Sequence, residues 1–217
     1  MVTLTVDGRT IQAPAGSSVL SACLSAGIAI PHLCRLETDT PADAPASCRL
    51  CFVEVDGFGD PVAACSLTVE NGMTVHTGTE AVRKLQKTAL KLLLSVHRVE
   101  CKHCPANHAC ALQDIARFLG VGLNCKPFEK VLREPEVDSR HPVFDYYPNR
   151  CVLCGLCVRL CRRQHQLPFL SFAGRGFDTV VGYFDGEDGS VSTCASCRAC
   201  IVACPTGALV EKRGVEC

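Results

Sequence analysis

Two stretches of the chain carry the same ligand spacing. Cys151, Cys154, Cys157 and Cys161 in CVLCGLCVRLC read C-x2-C-x2-C-x3-C, and Cys194, Cys197, Cys200 and Cys204 in CASCRACIVAC repeat it 43 residues later. Three closely spaced thiolates on a tight loop can hold three corners of an iron-sulfur cubane, while the fourth cysteine, entering a helix, points to the neighbouring cubane. The spacing therefore assigns Cys151, Cys154, Cys157 and Cys204 to one 4Fe-4S cluster, and Cys194, Cys197, Cys200 and Cys161 to a second. A pair of zinc sites is the alternative, but zinc more often takes two separated C-x2-4-C pairs than a C-x2-C-x2-C triplet. Pro205 follows Cys204 whereas Arg162 follows Cys161; proline shapes a helix entry and binds no iron.

Further upstream, Cys34, Cys48, Cys51 and Cys65 give C-x13-C-x2-C-x13-C. The central C-x2-C with a remote fourth cysteine fits a plant-type 2Fe-2S run, although the first gap is longer than that pattern has. The gap, RLETDTPADAPAS, is polar and proline-rich, as a surface loop should be. A four-cysteine zinc knuckle is the alternative. Between these groups lies HRVECKHCPANHAC, in which Cys101, Cys104 and Cys110 are one ligand short of a cubane. His97 sits one helical turn before Cys101 and can reach the same centre. His103 and His108 compete from inside the loop, and a Cys3His zinc site stays open. Four clusters need sixteen ligands, and fifteen cysteines with one histidine supply them. Of the three cysteines left over, Cys23 reads as a small buried hydrophobe and Cys217 as a free thiol, while Cys125 has no assigned role.

The elements that must position these ligands follow from pattern. VTLTV alternates, Asp7-Gly8 is a hairpin turn, and Arg9 to Ala13 returns. VLSACLSAGI reads as a short helix with a serine N-cap, and CFVEV, PVAAC and MTVHT as further strands. Thr77 and Glu80 form a T-x-x-E capping box ahead of a helix of roughly 18 residues, with Val82, Leu85, Ala89, Leu92, Leu93 and Val96 on one face. LQDIARFLG is a second helix stopped at Gly120. Residues 124–148 are proline-rich and without period. The balance of 22 basic and 22 acidic residues gives no surplus for nucleic acid or an anionic membrane. MVTLTVDGRTIQAP holds no export signal, and LLLSV is far too short to span a bilayer. The expectation is a cytoplasmic protein with reduced thiols and no membrane insertion, in which closely spaced cysteines bind metal.

These motifs, in this order, resemble the iron-sulfur electron-input module of three families. They are the large iron-sulfur subunit of respiratory complex I, the N-terminal half of FeFe hydrogenases, and the small diaphorase subunit of NAD-reducing NiFe hydrogenases. IPHLC, SCRLCFVEVDG, AACS, GMTV, HRVECKHCPANHACALQ, NRCVLCGLC and ACPTGAL carry the likeness over nearly the whole chain. The resemblance implies that His97 ligates a 4Fe-4S cluster. It also implies an α+β chain built of a β-grasp 2Fe-2S ferredoxin-like domain (1–78), a small helical His/Cys3 4Fe-4S domain (79–123), a linker (124–148) and a C-terminal two-cluster bacterial ferredoxin-like domain (149–217). Two cubane sites after the histidine-containing one, and a sequence ending at Cys217, favour the hydrogenase diaphorase subunit.

No catalytic nucleophile, base or open metal site is visible. Gly174-Arg175-Gly176 makes a poor nucleotide loop, since it neither follows a clear strand nor opens a helix. The function expected is therefore single-electron relay, through one 2Fe-2S and three 4Fe-4S clusters, between an NADH- and FMN-binding flavoprotein subunit and a catalytic subunit such as a NiFe hydrogenase. The alternatives are the same role in a formate dehydrogenase, a complex I-like or an electron-bifurcating complex, or a soluble polyferredoxin.

Overall fold

A computed structural model describes residues 1–124, 128, 130–165, 169–184, 194 and 197–212. The chain is mixed α and β and divides into two compact units. One comprises Met1–Leu92 with Ile115–Gly122, and the other Leu93–Asp114 with Leu123–Cys217.

In the first unit, β1 (Val2–Val6) and β2 (Arg9–Ala13) form a hairpin in register from Val2 with Ala13 to Val6 with Arg9. Asp7 and Gly8 both take positive φ, which matches the right-handed twist of the flanking strands. Alternation puts Leu4, Val6, Ile11 and Ala13 inside. β1 also pairs in parallel with β5 (Thr74–His76); β3 (Phe52–Val55) joins β5 and β4 (Val62–Ala63), giving the order β2-β1-β5-β3-β4. Helix α1 (Val19–Ser25) is capped by Ser18, whose hydroxyl accepts the Ser21 N–H at 3.0 Å. It buries Val19, Leu20, Ala22 and Cys23 in the sheet's core. The Cys23 thiol is pushed up to about 11, by burial first and by Asp7 second. It therefore stays protonated and packs as a small apolar group.

Helix α2 spans Glu80–Ser95, and here the structure corrects two expectations. The hydroxyl that accepts from the first turn belongs to Thr79, which takes the Val82 N–H at 3.2 Å, and not to Thr77. Thr77 turns away because the Asp7 carboxylate accepts both its N–H (2.8 Å) and its hydroxyl (2.5 Å), tying the hairpin turn to the chain after β5. The buried face carries Val82, Gln86, Ala89, Leu90 and Leu94, while Leu85 and Leu92 are exposed. The face was misread because Gln86 is polar yet fully buried; its amide donates to the Phe52 carbonyl and accepts from Arg83, so burial leaves nothing unsatisfied. Helix α3 (Ala111–Leu119) ends at Gly120, in the left-handed conformation.

The second unit holds two small antiparallel ladders. β6 (Phe144–Tyr146) pairs with β9 (Leu209–Glu211), and β7 (Leu170–Ala173) pairs with β8 (Val180–Tyr183). Helices α4 (Leu156–His165) and α5 (Ala199–Val202) pack together, and their cysteines join Val143, Phe144, Tyr146 and Leu170 in one core. The proline-rich stretch therefore ends in a paired strand. Gly174 belongs to the turn between β7 and β8, where a Cβ would lie 2.5 Å from the Asp178 carbonyl oxygen. The need for glycine there is steric. No helix among the described residues is long and apolar enough to cross a membrane.

Replacing Asp7 with Ala removes the carboxylate that accepts from two groups of the buried Thr77. We expect a loss of about 1.5–3 kcal/mol, read as a lower denaturant midpoint, with Asp7→Asn losing less.

Candidate metal centres

The four N-terminal cysteines are all buried. Cys34 precedes the long polar loop, Cys48 and Cys51 flank the turn into β3, and Cys65 follows β4. The Cys34 and Cys48 sulfurs lie 3.5 Å apart. The hydrogen bond between these two sulfurs holds Cys34 below the ordinary thiol range and pushes Cys48 up. Cys65 and Cys51 form a second such pair, with Cys65 lowered and Cys51 raised. The pairs also feel one another, Cys51 through Cys48 and Cys65 through Cys34. Four sulfurs thus share one buried space. Ala46 and Arg49 take left-handed backbone angles there, and peptide N–H groups of the 46–50 loop turn toward the sulfurs.

His97, Cys101, Cys104 and Cys110 line one hollow of about 280 Å3. α2 stops at Ser95, a single 3-10 turn spans Cys101–His103, and Cys110 stands at the start of α3, so three short elements present the donors. His97 is buried, and its Nδ1 lies 3.1 Å from the Arg150 carbonyl oxygen. A carbonyl only accepts, so Nδ1 carries the proton and Nε2 keeps its lone pair, the tautomer that a metal-ligating histidine needs. Burial, outweighing the bond to the Arg150 carbonyl, lowers the His97 pKa to about 4, so the ring is neutral. His103 and His108 are exposed and do not line the hollow. The same Arg150 carbonyl accepts the Thr206 hydroxyl at 2.7 Å, and Thr206 also lines the hollow. Gly207 completes this wall, since a Cβ there would lie 2.7 Å from the Ala106 Cβ and 3.4 Å from the Cys104 sulfur.

Cys151, Cys154, Cys157 and Cys204 line a hollow of about 350 Å3, and Cys161, Cys194, Cys197 and Cys200 another of about 380 Å3. The fourth cysteine of each repeat lies with the other repeat's triplet. α4 carries Cys157 and Cys161 one turn apart, and Cys200 on α5 is one turn from Cys204, so each helix serves both hollows. The Leu153 N–H points at the Cys151 sulfur (3.4 Å) and the Ala208 N–H at Cys204 (3.2 Å). Cys157 is pushed well above its ordinary range by burial and then by Cys151, Cys154 and Cys204. Cys200 is pushed up to about 12 by burial and then by Cys161, Cys194 and Cys197. Among the described residues no group of His, Cys, Asp or Glu side chains closes tightly enough to hold a single metal ion. The donors surround hollows instead. Soft thiolate donors, one neutral imidazole and amide hydrogens aimed at sulfur fit iron-sulfur clusters.

Tyr146 also lines the Cys151 hollow, and His141, stacked on Phe144 at 3.7 Å, lines the Cys161 hollow. Neither was legible from spacing, because both lie in the stretch without periodicity, 124–148. Cys125 and Cys217 fall outside the described residues.

Two sequence families match the chain. The 2Fe-2S iron-sulfur cluster binding domain covers residues 1–80, and the NADH-ubiquinone oxidoreductase-G iron-sulfur binding region covers residues 86–123. The NADPH-Fe(3+) oxidoreductase subunit alpha of Geobacter sulfurreducens is 33% identical over 212 residues, covering 98% of this chain and 24% of that protein. The NADH-ubiquinone oxidoreductase 75 kDa subunit of Reclinomonas americana is 33% identical over 218 residues, covering 98% of this chain and 30% of that protein. The chain thus spans less than a third of the length of these relatives. A chain in the crystal structure of NAD+-reducing NiFe-hydrogenase in the H2-reduced state superposes with a TM-score of 0.84 at 31% identity, covering 98% of this chain and 88% of that one.

The lowered His97 pKa has a sign. Its contribution to stability is fully present above the ordinary value of 6.5 and is lost as pH falls toward about 4, because the folded site resists protonation. Thermal unfolding from neutral pH to about 4 should therefore fall less steeply in His97→Asn than in the parent.

Proposed function

Because this chain belongs to the iron-sulfur subunit family that includes the 75 kDa subunit of NADH-ubiquinone oxidoreductase and the matched chain of NAD+-reducing NiFe-hydrogenase, we propose that it is the electron-relaying subunit of an NAD(P)H-linked oxidoreductase. In this reading Cys34, Cys48, Cys51 and Cys65 hold a 2Fe-2S cluster in a β-grasp domain over 1–78. His97, Cys101, Cys104 and Cys110 hold a 4Fe-4S cluster in a helical domain over 79–123. After a linker over 124–148, the region 149–217 is a two-cluster ferredoxin-like domain. There Cys151, Cys154, Cys157 and Cys204 hold one cubane, and Cys161, Cys194, Cys197 and Cys200 the other. When bound, such clusters take up and release single electrons without a proton or a bond change at the protein.

The observation that carries the reading is the sharing of walls in the second unit. Thr206 lines both the His97 hollow and the Cys151 hollow, and α4 contributes to both the Cys151 and the Cys161 hollows. The chain's own residues thereby set an order, His97 site, Cys151 site, Cys161 site, with only a residue or a helical turn between neighbours. Residues that separate sites so thinly favour electron passage over substrate binding. The partners that fit are a flavoprotein that draws electron pairs from NADH, and a catalytic subunit, with a NiFe-hydrogenase as the best-supported candidate.

Anaerobic isolation of the chain with its native partners should yield a brown protein with about 14 iron atoms per chain, together with a flavin-containing subunit. Replacing His97 with Ala should remove one 4Fe-4S EPR signal and about four irons. A colourless, zinc-containing protein would overturn the cluster reading, and a brown protein recovered alone would favour a free polyferredoxin.

A further inference from the structure

Arg133 is a buried cation with no carboxylate partner among the described residues. Only 7% of it is exposed. Its Nε donates to the Phe177 carbonyl at 3.2 Å and its Nη1 to the Pro148 carbonyl at 3.1 Å. Buried Asn149 clamps its backbone, accepting the Arg133 N–H at 2.7 Å and donating to the Arg133 carbonyl at 2.9 Å. These partners are neutral dipoles, which satisfy hydrogen bonds but leave the charge uncompensated. A buried charge is ordinarily retained only opposite an anion. The Pro148 carbonyl that accepts from Arg133 also accepts the Cys151 N–H at 3.2 Å, which places the guanidinium beside that cysteine.

Tyr146 points to the same corner. It is buried on β6, and its hydroxyl oxygen accepts the Val181 N–H at 3.1 Å. With that lone pair engaged, the phenolic hydrogen is left to turn into the hollow that Tyr146 lines together with Cys151. The Leu153 N–H reaches the same sulfur. Cys151 therefore accepts an amide donor and stands beside a phenolic hydroxyl and a cation that has no carboxylate partner among the described residues. At the neighbouring hollow the lining guanidinium, Arg198, is instead neutralised by Glu211 at 2.8 Å.

We propose that Arg133 and Tyr146 are positioning residues that raise the reduction potential of the 4Fe-4S cluster held by Cys151, Cys154, Cys157 and Cys204. The proposal rests on the cluster reading above. One-electron uptake from a single-electron donor adds one negative charge to the cluster and its thiolates, and no bond forms or breaks. A cation and a hydrogen-bond donor at the Cys151 sulfur stabilise that more negative form over the oxidised one, which moves the potential upward. Buried as they are, both act through a medium that screens poorly.

The test is an EPR-monitored redox titration of the full chain, with this cluster's signal identified by its loss in Cys154→Ala. Tyr146→Phe and Arg133→Gln should each shift that signal's midpoint to lower potential and leave the other signals in place. Arg133→Lys, which keeps the charge, should stay closer to the parent. An unshifted midpoint in Tyr146→Phe and Arg133→Gln, or an equal shift of every signal, overturns the proposal. Should Arg133→Gln fail to accumulate, an unshifted Tyr146→Phe overturns it alone. A parent protein lacking iron and any signal sensitive to Cys154 would sink the cluster reading first, and the proposal with it.

Discussion

Four sulfurs cannot be buried around one space as thiolates unless a cation sits among them. In this chain the mutual repulsion is visible at Cys157 and Cys200, each pushed upward by burial and then by the sulfurs that share its hollow. A metal core removes both penalties at once by supplying the opposite charge. Much of the surrounding structure is intelligible as provision for what charge remains. Peptide N–H groups converge on Cys34, Cys48, Cys151 and Cys204, and the Arg133 guanidinium has no carboxylate partner among the described residues.

Amide donors reach the sulfurs because the loops bend through left-handed backbone. Ala46 and Arg49 do this beside Cys48, and Leu153 and Gly155 beside Cys154. Non-glycine residues adopt such angles at a cost, and they persist where the surroundings dictate them. The loops also knit the second unit together: the Arg98 N–H donates to the Asn149 carbonyl (2.7 Å) and the Ala111 N–H to the Pro205 carbonyl (3.0 Å). Through these bonds and the Arg150 carbonyl, the His97 hollow is braced by segments that also supply Cys151 and Cys204.

Cysteine spacing made the candidate sites legible because thiolate ligation on a tight loop is a local property. The strands VTLTV and MTVHT and the Ser18 cap were legible for the same reason, alternation and capping being short-range. What failed was decided at long range. Thr77 looked like a helix cap until Asp7, 70 residues earlier, claimed its hydroxyl. The buried face of α2 was misplaced because Gln86 finds its acceptor on β3. Arg133, His141 and Tyr146 carry no periodic signal; Tyr146 meets the Cys151 hollow from the paired β6, and Arg133 finds its acceptors 15 and 44 residues further on. Spacing favoured His97 over His103 and His108 but left all three within reach of the triplet; that His97 is buried and lines the hollow while the other two are exposed is visible only in the fold.

The bond that sets the His97 tautomer ends on a main-chain oxygen. Metal-binding histidines are often oriented by a carboxylate, which a single substitution can delete. Here the acceptor belongs to the peptide group at position 150, which every amino acid carries. Arg150 can therefore drift in sequence without disturbing the proton on Nδ1, provided the short turn at Pro148–Arg150 keeps its course. The orienting element is a path of the backbone, so it is invisible to any inspection of side chains and is vulnerable to insertion or deletion in that turn more than to point mutation.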